Sequence, residues 1–329
     1  MNNGQCRRTF PSLSIVNCPF SLVAFPMKIL VTGSSGTVGT RLCEVLLERG
    51  HDVVGVDWHP NKWNPALDKI TVIKDLREEE GWKDVPRDVD AIIHLAANAR
   101  VYDLVKDPVR ARDNFITTFH MLEFARKAGI KKFIFSSSRE VYGNAEAKEF
   151  TEDKISVDLC ESPYTASKIG GEATVQAYRR CYGIKAVILR FSNVYGAYDD
   201  SDRIVPLFIR QAKEGKKLTV FGEGKCLDFT YIDDTINGVI LALEQCGKHD
   251  GEVFNIAYGT GTTLVELAES IKKLTKSASE IVMAPPRLGE VTYYVADIAK
   301  AKKQLGYQPK ISFEEGIRRT VSWYAEHNA

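Results

Sequence analysis

The stretch "KILVTGSSGTVGTRL", residues 28–42, limits the possible folds more than any other part of the chain. A β-branched apolar run leads into Gly33, Gly36 and Gly39, and Val38, Leu42, Val45 and Leu46 follow at three- and four-residue spacing. An apolar strand, a glycine turn and an amphipathic helix in direct succession open a parallel β-α-β unit. In a G-x-x-G-x-x-G turn one glycine permits the tight bend, the next lets the backbone approach a pyrophosphate, and the third packs helix against strand. The helix N-terminus then presents free N–H groups and its dipole to an anion. Gly33, Gly36, Thr37, Val38 and Gly39 are therefore the candidate dinucleotide-binding turn.

The same alternation continues. Residues 28–32, 52–57, 70–74, 91–95, 132–136 and 185–191 read as strands, several of them separated by amphipathic helical stretches. Such a pattern means parallel pairing through right-handed crossovers, an α/β Rossmann-type doubly wound sheet covered on both faces. Asp57 ends the second strand 24 residues beyond Gly33, near the roughly 20 expected of the acid that hydrogen-bonds an adenosine ribose. A carboxylate there repels a 2′-phosphate, so NAD is expected rather than NADP. Beyond Arg190 strands become sparser and a smaller C-terminal lobe is expected. Residues 27–190 are assigned to the NAD-binding domain and 191–329 mainly to a substrate lobe, with segments around 228–258 returning to the first. Residues 1–26 have scattered Pro and no period; they read as a disordered extension or a start called too early, not as a signal peptide.

Composition excludes other classes. A net charge of +1 with dispersed Lys and Arg argues against nucleic acid. No apolar run reaches the roughly 18 residues of a membrane span. Seven cysteines without a CxxC pair, three of them (Cys43, Cys181, Cys246) in helical stretches, read as buried reduced thiols in a cytoplasmic protein. No metal site is called for.

Two segments carry candidate chemistry. "SPYTASKIGGEA" sets Tyr164 and Lys168 at i and i+4 on one helix face. A phenol is a poor base at neutral pH, and a nearby ammonium favours its phenolate and is expected to lower its pKa. A hydroxyl contacting the substrate would complete a proton-transfer centre. "SSSREVYG", residues 136–143, ends an apolar strand with three hydroxyls and the adjacent Arg139 and Glu140.

Together with "DL" at Asp75-Leu76, "HLAA" at His94–Ala97, "RFSNVYG" from Arg190 and "GEGKCLDFTYIDD" from Gly222, these segments resemble the NAD-dependent epimerase/dehydratase group of extended short-chain dehydrogenases, from Met27 to about Trp323. The resemblance implies Tyr164 as general base and acid, Lys168 as its tuning partner and a nicotinamide-ribose contact, and Ser138 as the substrate-side hydroxyl. It further implies adenine contacts from Asp75 and Leu76, Ala96 against the dinucleotide, and Asn114 supporting the site. Asn193 and Arg287 match diphosphate ligands, Glu290 an acid near a ribose, and the strand Leu218–Phe221 the partner of a nucleotide base. The partner implied is a nucleotide-diphosphate sugar, and a homodimer is expected. One departure stands out. The cation that usually precedes the acid at Asp228 is replaced by Leu227, so Lys225 or Arg203 is left to supply it.

The activity implied is that of a nucleotide-sugar 4-epimerase of the UDP-glucose/UDP-galactose type, working through a transient 4-keto sugar. The alternative is a dehydratase or decarboxylase using Glu140 as C5 base. Arg139 replaces the acid that dehydratases carry beside that Glu. Its guanidinium is expected to lower the Glu140 pKa and weaken it as a base.

Overall fold

The computed structural model describes residues 25–78, 82 and 84–327; the reading of residues 1–26 falls on a segment of which 1–24 lie outside the described residues. Strands β1 (Lys28–Thr32), β2 (Asp52–Asp57), β3 (Thr71–Ile73), β4 (Ala91–His94), β5 (Lys132–Ser138) and β6 (Lys185–Phe191) alternate with helices α1 (Thr37–Glu48), α2 (Pro65–Asp68), α3 (Val101–Lys106), α4 (Val109–Ala128) and α5 (Pro163–Tyr182). The chain then runs through β7 (Asn193–Tyr195), α6 (Ile204–Lys213), β8 (Leu218–Phe221), β9 (Cys226–Tyr231), α7 (Ile232–Glu244) and β10 (Val253–Ile256). It ends with β11 (Gly261–Thr263), α8 (Leu264–Leu274), β12 (Ile281–Ala284), β13 (Tyr293–Tyr294), α9 (Ala299–Leu305) and α10 (Phe313–Glu326).

Seven strands form one parallel sheet in the order β3-β2-β1-β4-β5-β6-β10. The first six follow the doubly wound order whose reversal between β1 and β4 opens a crevice at the strand C-termini. Both faces are buried, which is why β1 and β4 are apolar without alternation: Ile29, Leu30, Val31, Ala91, Ile92 and Ile93 have no exposed surface. On β5 neighbouring side chains still part company by face. Ile134 joins one core cluster, while Phe133 and Phe135 join the other. The first cluster runs from Ile29 and Leu189 to Phe208, Leu267 and Ile317, so the sheet and the smaller lobe share a core. In that lobe β9 pairs with β7, β11 and β13, and β8 pairs in parallel with β12.

Helix α5 starts where its sequence says it should. Ser162 caps it, accepting from Thr165 N at 3.2 Å, Pro163 occupies the first turn, and Gly183 ends it at φ +67°. Strand β5 runs two residues further than its apolar pattern suggested, to Ser138, and a 3₁₀ turn over Arg139–Tyr142 follows. Of the three helical cysteines expected to be buried, Cys43 and Cys246 are, but Cys181 is exposed on α5. Among the described residues no helix is long and apolar enough to cross a membrane.

Candidate active site

Two adjoining clefts open at the strand C-termini. The first, about 600 Å³, is lined by the β1–α1 turn, Asp57, Asp75, Leu76, Ala96 and Asn114. Its glycines divide the labour by sterics. Gly33 has φ +72°, and a Cβ on it would sit 2.9 Å from Ala96 N; one on Gly39 would sit 1.9 Å from Gly33 O. A Cβ on Gly36 meets only Gly33 O, at 3.3 Å, a far milder contact than at Gly33 or Gly39, and the bare backbone lines the cleft. Gly36 is also the N-cap of α1, with no side-chain cap and no acid in the first turn. The first N–H groups of a twelve-residue helix are thus left to an anion in this cleft, as the pyrophosphate of a dinucleotide requires.

Around this turn the flanking carboxylates are engaged, while among the described residues the buried Ser34 Oγ has no hydrogen-bond partner. Asp57 accepts from Ser35 N at 3.0 Å and His59 N at 3.1 Å. Burial pushes its carboxyl up, and those backbone donors pull it back. Asp75 is clamped by Arg77, which also reaches Asp113 at 3.0 Å; the guanidinium holds the Asp75 carboxyl below its usual range. His120 Nδ1 donates to Leu76 O at 2.9 Å, and Ala96 N donates to Thr32 Oγ1 at 3.3 Å. Asn114 accepts from Asn98 N at 2.7 Å and donates to Asn98 O at 2.9 Å, which pins the loop after β4.

The second cleft, about 300 Å³, brings together Ser138, Glu140, Tyr164, Lys168, Asn193, Arg287 and Glu290. The three serines have separate duties. Ser136 Oγ donates to His94 O at 2.9 Å and Ser137 Oγ to Glu172 Oε1 at 2.5 Å. All three line the cleft, and Ser138 is the one hydrogen-bonded to the Tyr164 phenol; its hydroxyl also accepts from Glu140 N at 3.2 Å. Lys168 Nζ donates to Ser136 O at 2.8 Å and stands 5.9 Å from the Tyr164 ring centroid. Sequence spacing placed this pair, but the expected lowering of the phenol does not appear in the chain by itself. Burial pushes Tyr164 up, outweighing the Ser138 hydrogen bond, and lowers Lys168 to about 8 against the opposing charge of Glu172.

The turn after β5 is ionic and buried. Arg139 Nη2 lies 2.8 Å from Glu140 Oε1 and donates to Asn193 Oδ1 at 3.3 Å. Among the described residues, Arg139 Nη1 and Glu140 Oε2 have no hydrogen-bond partner. Here the expectation from sequence is reversed: burial pushes Glu140 up by more than Arg139 and Lys225 push it down. Lys225, one of the two cations left to replace the residue at Leu227, is itself buried and donates to Glu290 Oε2 at 2.7 Å. Arg203, the other, lies 3.8 Å from Asp199 and lines both clefts.

Sequence reasoning missed three supports. Glu172, one helical turn beyond Lys168, forms a doubly bonded buried pair with Arg190, 2.9 Å from Nε and 2.8 Å from Nη2; its i+4 spacing was the available signal. His94 is buried between Thr32 Oγ1 at 2.7 Å and Thr118 Oγ1 at 3.2 Å. Tyr198, at φ +65°, crosses the β1–α1 turn, its carbonyl accepting from Thr37 Oγ1 at 2.9 Å, while Asp200, two residues on, pairs with Lys62. No local pattern announces that crossing.

Comparison with known proteins matches residues 29–257 to the NAD dependent epimerase/dehydratase family. A putative UDP-glucose 4-epimerase of Methanocaldococcus jannaschii is 35% identical over 313 residues, covering 91% of this chain and 99% of its own. The UDP-glucose 4-epimerase of Thermotoga maritima, solved with UDP-glucose, superposes with a TM-score of 0.84 at 34% identity over 92% of this chain and all of its own. The dTDP-glucose 4,6-dehydratase DesIV of Streptomyces venezuelae, solved with NAD, gives 0.85 at 31% identity over 92% and 98%.

Proposed function

The chain belongs to the NAD-dependent epimerase/dehydratase family, and within it we propose that it is a cytoplasmic nucleotide-sugar 4-epimerase of the UDP-glucose/UDP-galactose type. The observation that carries this reading is the Arg139–Glu140 ion pair at 2.8 Å in the sugar end of the cleft. Elimination of a 6-hydroxyl needs an acid beside the C5 base, and a guanidinium has no proton to give at physiological pH. Tyr164, Ser138 and Lys168 by contrast make a complete set for taking a proton from a 4-hydroxyl and returning it.

The Gly33–Gly39 turn, Asp57 and Asp75 would hold NAD, which when bound would supply the hydride acceptor and donor for C4. Tyr164 takes the 4-hydroxyl proton, Ser138 orients that oxygen, and the Lys168 ammonium favours the phenolate as charge develops. Asn193 and Arg287 hold the diphosphate and Glu290 a ribose hydroxyl. That remote binding retains the sugar while its 4-keto form turns over and presents its other face. The homodimer joins through α4 and α5, where Phe115 and Phe119 are about two-fifths exposed; the mass in solution tests this.

Turnover of UDP-galactose and UDP-glucose in D2O, followed by NMR, tests the reaction type. An epimerase interconverts the two with C5 unlabelled, and Glu140→Gln keeps activity within about tenfold. Deuterium at C5, or arrest of Glu140→Gln at a 4-keto sugar, assigns Glu140 as a C5 base and the chain to the dehydratases.

A further inference from the structure

Arg287 lies over two aromatic rings contributed by different elements of the fold. Its guanidinium carbon is 4.0 Å from the centroid of Phe221, on β8, and 4.8 Å from that of Tyr102, on α3. Stacking uses the faces of a guanidinium and leaves its in-plane N–H groups free. Those groups find no hydrogen-bond acceptor among the described residues. The nearest carboxylate, Glu290, is 3.8 Å away and already accepts from Lys225. Tyr102, Phe221 and Arg287 all line the second cleft. A guanidinium packed against two rings with its N–H groups unused is built to receive an anion.

We infer that Tyr102 is a positioning residue for the substrate's diphosphate: it holds Arg287 in the orientation that meets the phosphate oxygens. This rests on the reading that Arg287 is a diphosphate ligand. It adds that the phosphate site is shared between α3, which follows the central strand β4, and the smaller lobe that contributes Phe221. The chain has Leu227 where a cation is expected, and its Lys225 is tied to Glu290. Arg287, together with Arg203, which also lines the cleft, therefore carries a larger share of phosphate recognition. A ring without a hydroxyl serves as well as Tyr, because the face makes the contact. Leu fills similar space without a π face. Lys106 Nζ also lies near the Tyr102 ring, 4.2 Å from its centroid, but it does not line the cleft.

Calorimetric titration of the full-length protein with UDP and uridine, and with dTDP and thymidine in parallel, tests the inference in wild type, Tyr102→Leu, Tyr102→Phe, Arg287→Gln and the Leu/Gln double variant. We expect Tyr102→Leu to weaken the diphosphate about tenfold, to leave the nucleoside unchanged, and to be rescued in Tyr102→Phe. The double variant should be no weaker than Arg287→Gln, since the ring acts through the guanidinium. Equal losses for nucleotide and nucleoside, full additivity, or wild-type affinity in Tyr102→Leu alongside a weakened Arg287→Gln, each overturn the role of Tyr102. Wild-type affinity in Arg287→Gln instead overturns the diphosphate assignment beneath it. Binding of neither nucleotide by the wild type removes the nucleotide-sugar reading and this inference together.

Discussion

The turn after β1 and the turn after β5 are built alike and finished differently. Each ends a central strand of the sheet, and each is locked by a glycine whose Cβ would strike backbone: Gly39 at 1.9 Å from Gly33 O, Gly143 at 2.0 Å from Leu159 O. In the first, the ligand-facing surface is main chain, and the flanking carboxylates of Asp57 and Asp75 already have donors. In the second, an Arg and a Glu side chain are buried together and, among the described residues, one atom of each, Arg139 Nη1 and Glu140 Oε2, has no hydrogen-bond partner. A ligand that never varies suits a backbone cradle complete in advance. The second cleft is left to side chains whose hydrogen bonding is unfinished in the free chain, and a site of that kind is where members of one family can differ in reaction.

Glycine substitutions break this comparison most sharply. Gly39→Ala forces a methyl into Gly33 O and should cost about 3 kcal/mol or more, read as a large drop in melting temperature or no soluble protein. Gly36→Ala, with only a 3.3 Å contact, should keep its fold and lose cofactor, read by nucleotide released from denatured protein. Equal stability losses in the two would mean that Gly36 is a packing glycine and not a phosphate-facing one.

Legibility in the sequence follows the same division. The β1–α1 turn, Asp57 and the Tyr164–Lys168 face were readable because each depends on spacing within a few residues or on one β-α-β unit. What could not be read depends on segments far apart in the chain. Lys225 meets Glu290 across 65 positions, and Tyr198 reaches Thr37 across 161. Tyr102, Phe221 and Arg287 come from three separate elements. Protonation was the other blind spot. Neighbouring charges are visible in a sequence and desolvation is not, so the directions for Tyr164 and Glu140 came out opposite to what their sequence neighbours suggest.

The second prediction tests whether the complete hydroxyl set is the reaction centre. Tyr164→Phe removes one oxygen from a buried ring and leaves α5, its cap and Lys168 in place. Turnover should fall roughly 10²-fold or more, with bound NAD and melting temperature close to wild type. Unchanged turnover would transfer proton movement to another group, and Glu140, with its unpartnered oxygen, would be the first to examine.

The smallest effect separates the two halves of the molecule by pH. His94 lies under the cofactor cleft, where burial lowers it from 6.5 to about 3. Asp228 lies under the sugar cleft; it accepts from Tyr258 N, Gly259 N and Ala296 N, yet burial raises it from 3.8 to about 6. The signs are opposite. Unfolded His94 takes up its proton as pH falls below 6.5 while the folded form resists, so its stability is present above 6.5 and lost toward pH 3. Folded Asp228 holds its proton when the unfolded form has released it, so its stability is present below 3.8 and lost as pH rises through 6. Between pH 6 and 4 two slopes of similar size oppose each other, each at most about 1.4 kcal/mol per pH unit. Measured as urea stability relative to wild type, His94→Gln should therefore gain, and Asp228→Asn lose, progressively as the pH is lowered through that window. The second follows because the amide cannot take up the proton that steadies the folded carboxyl. Curves for either variant that run parallel to wild type would show that its group keeps an ordinary pKa in the folded chain.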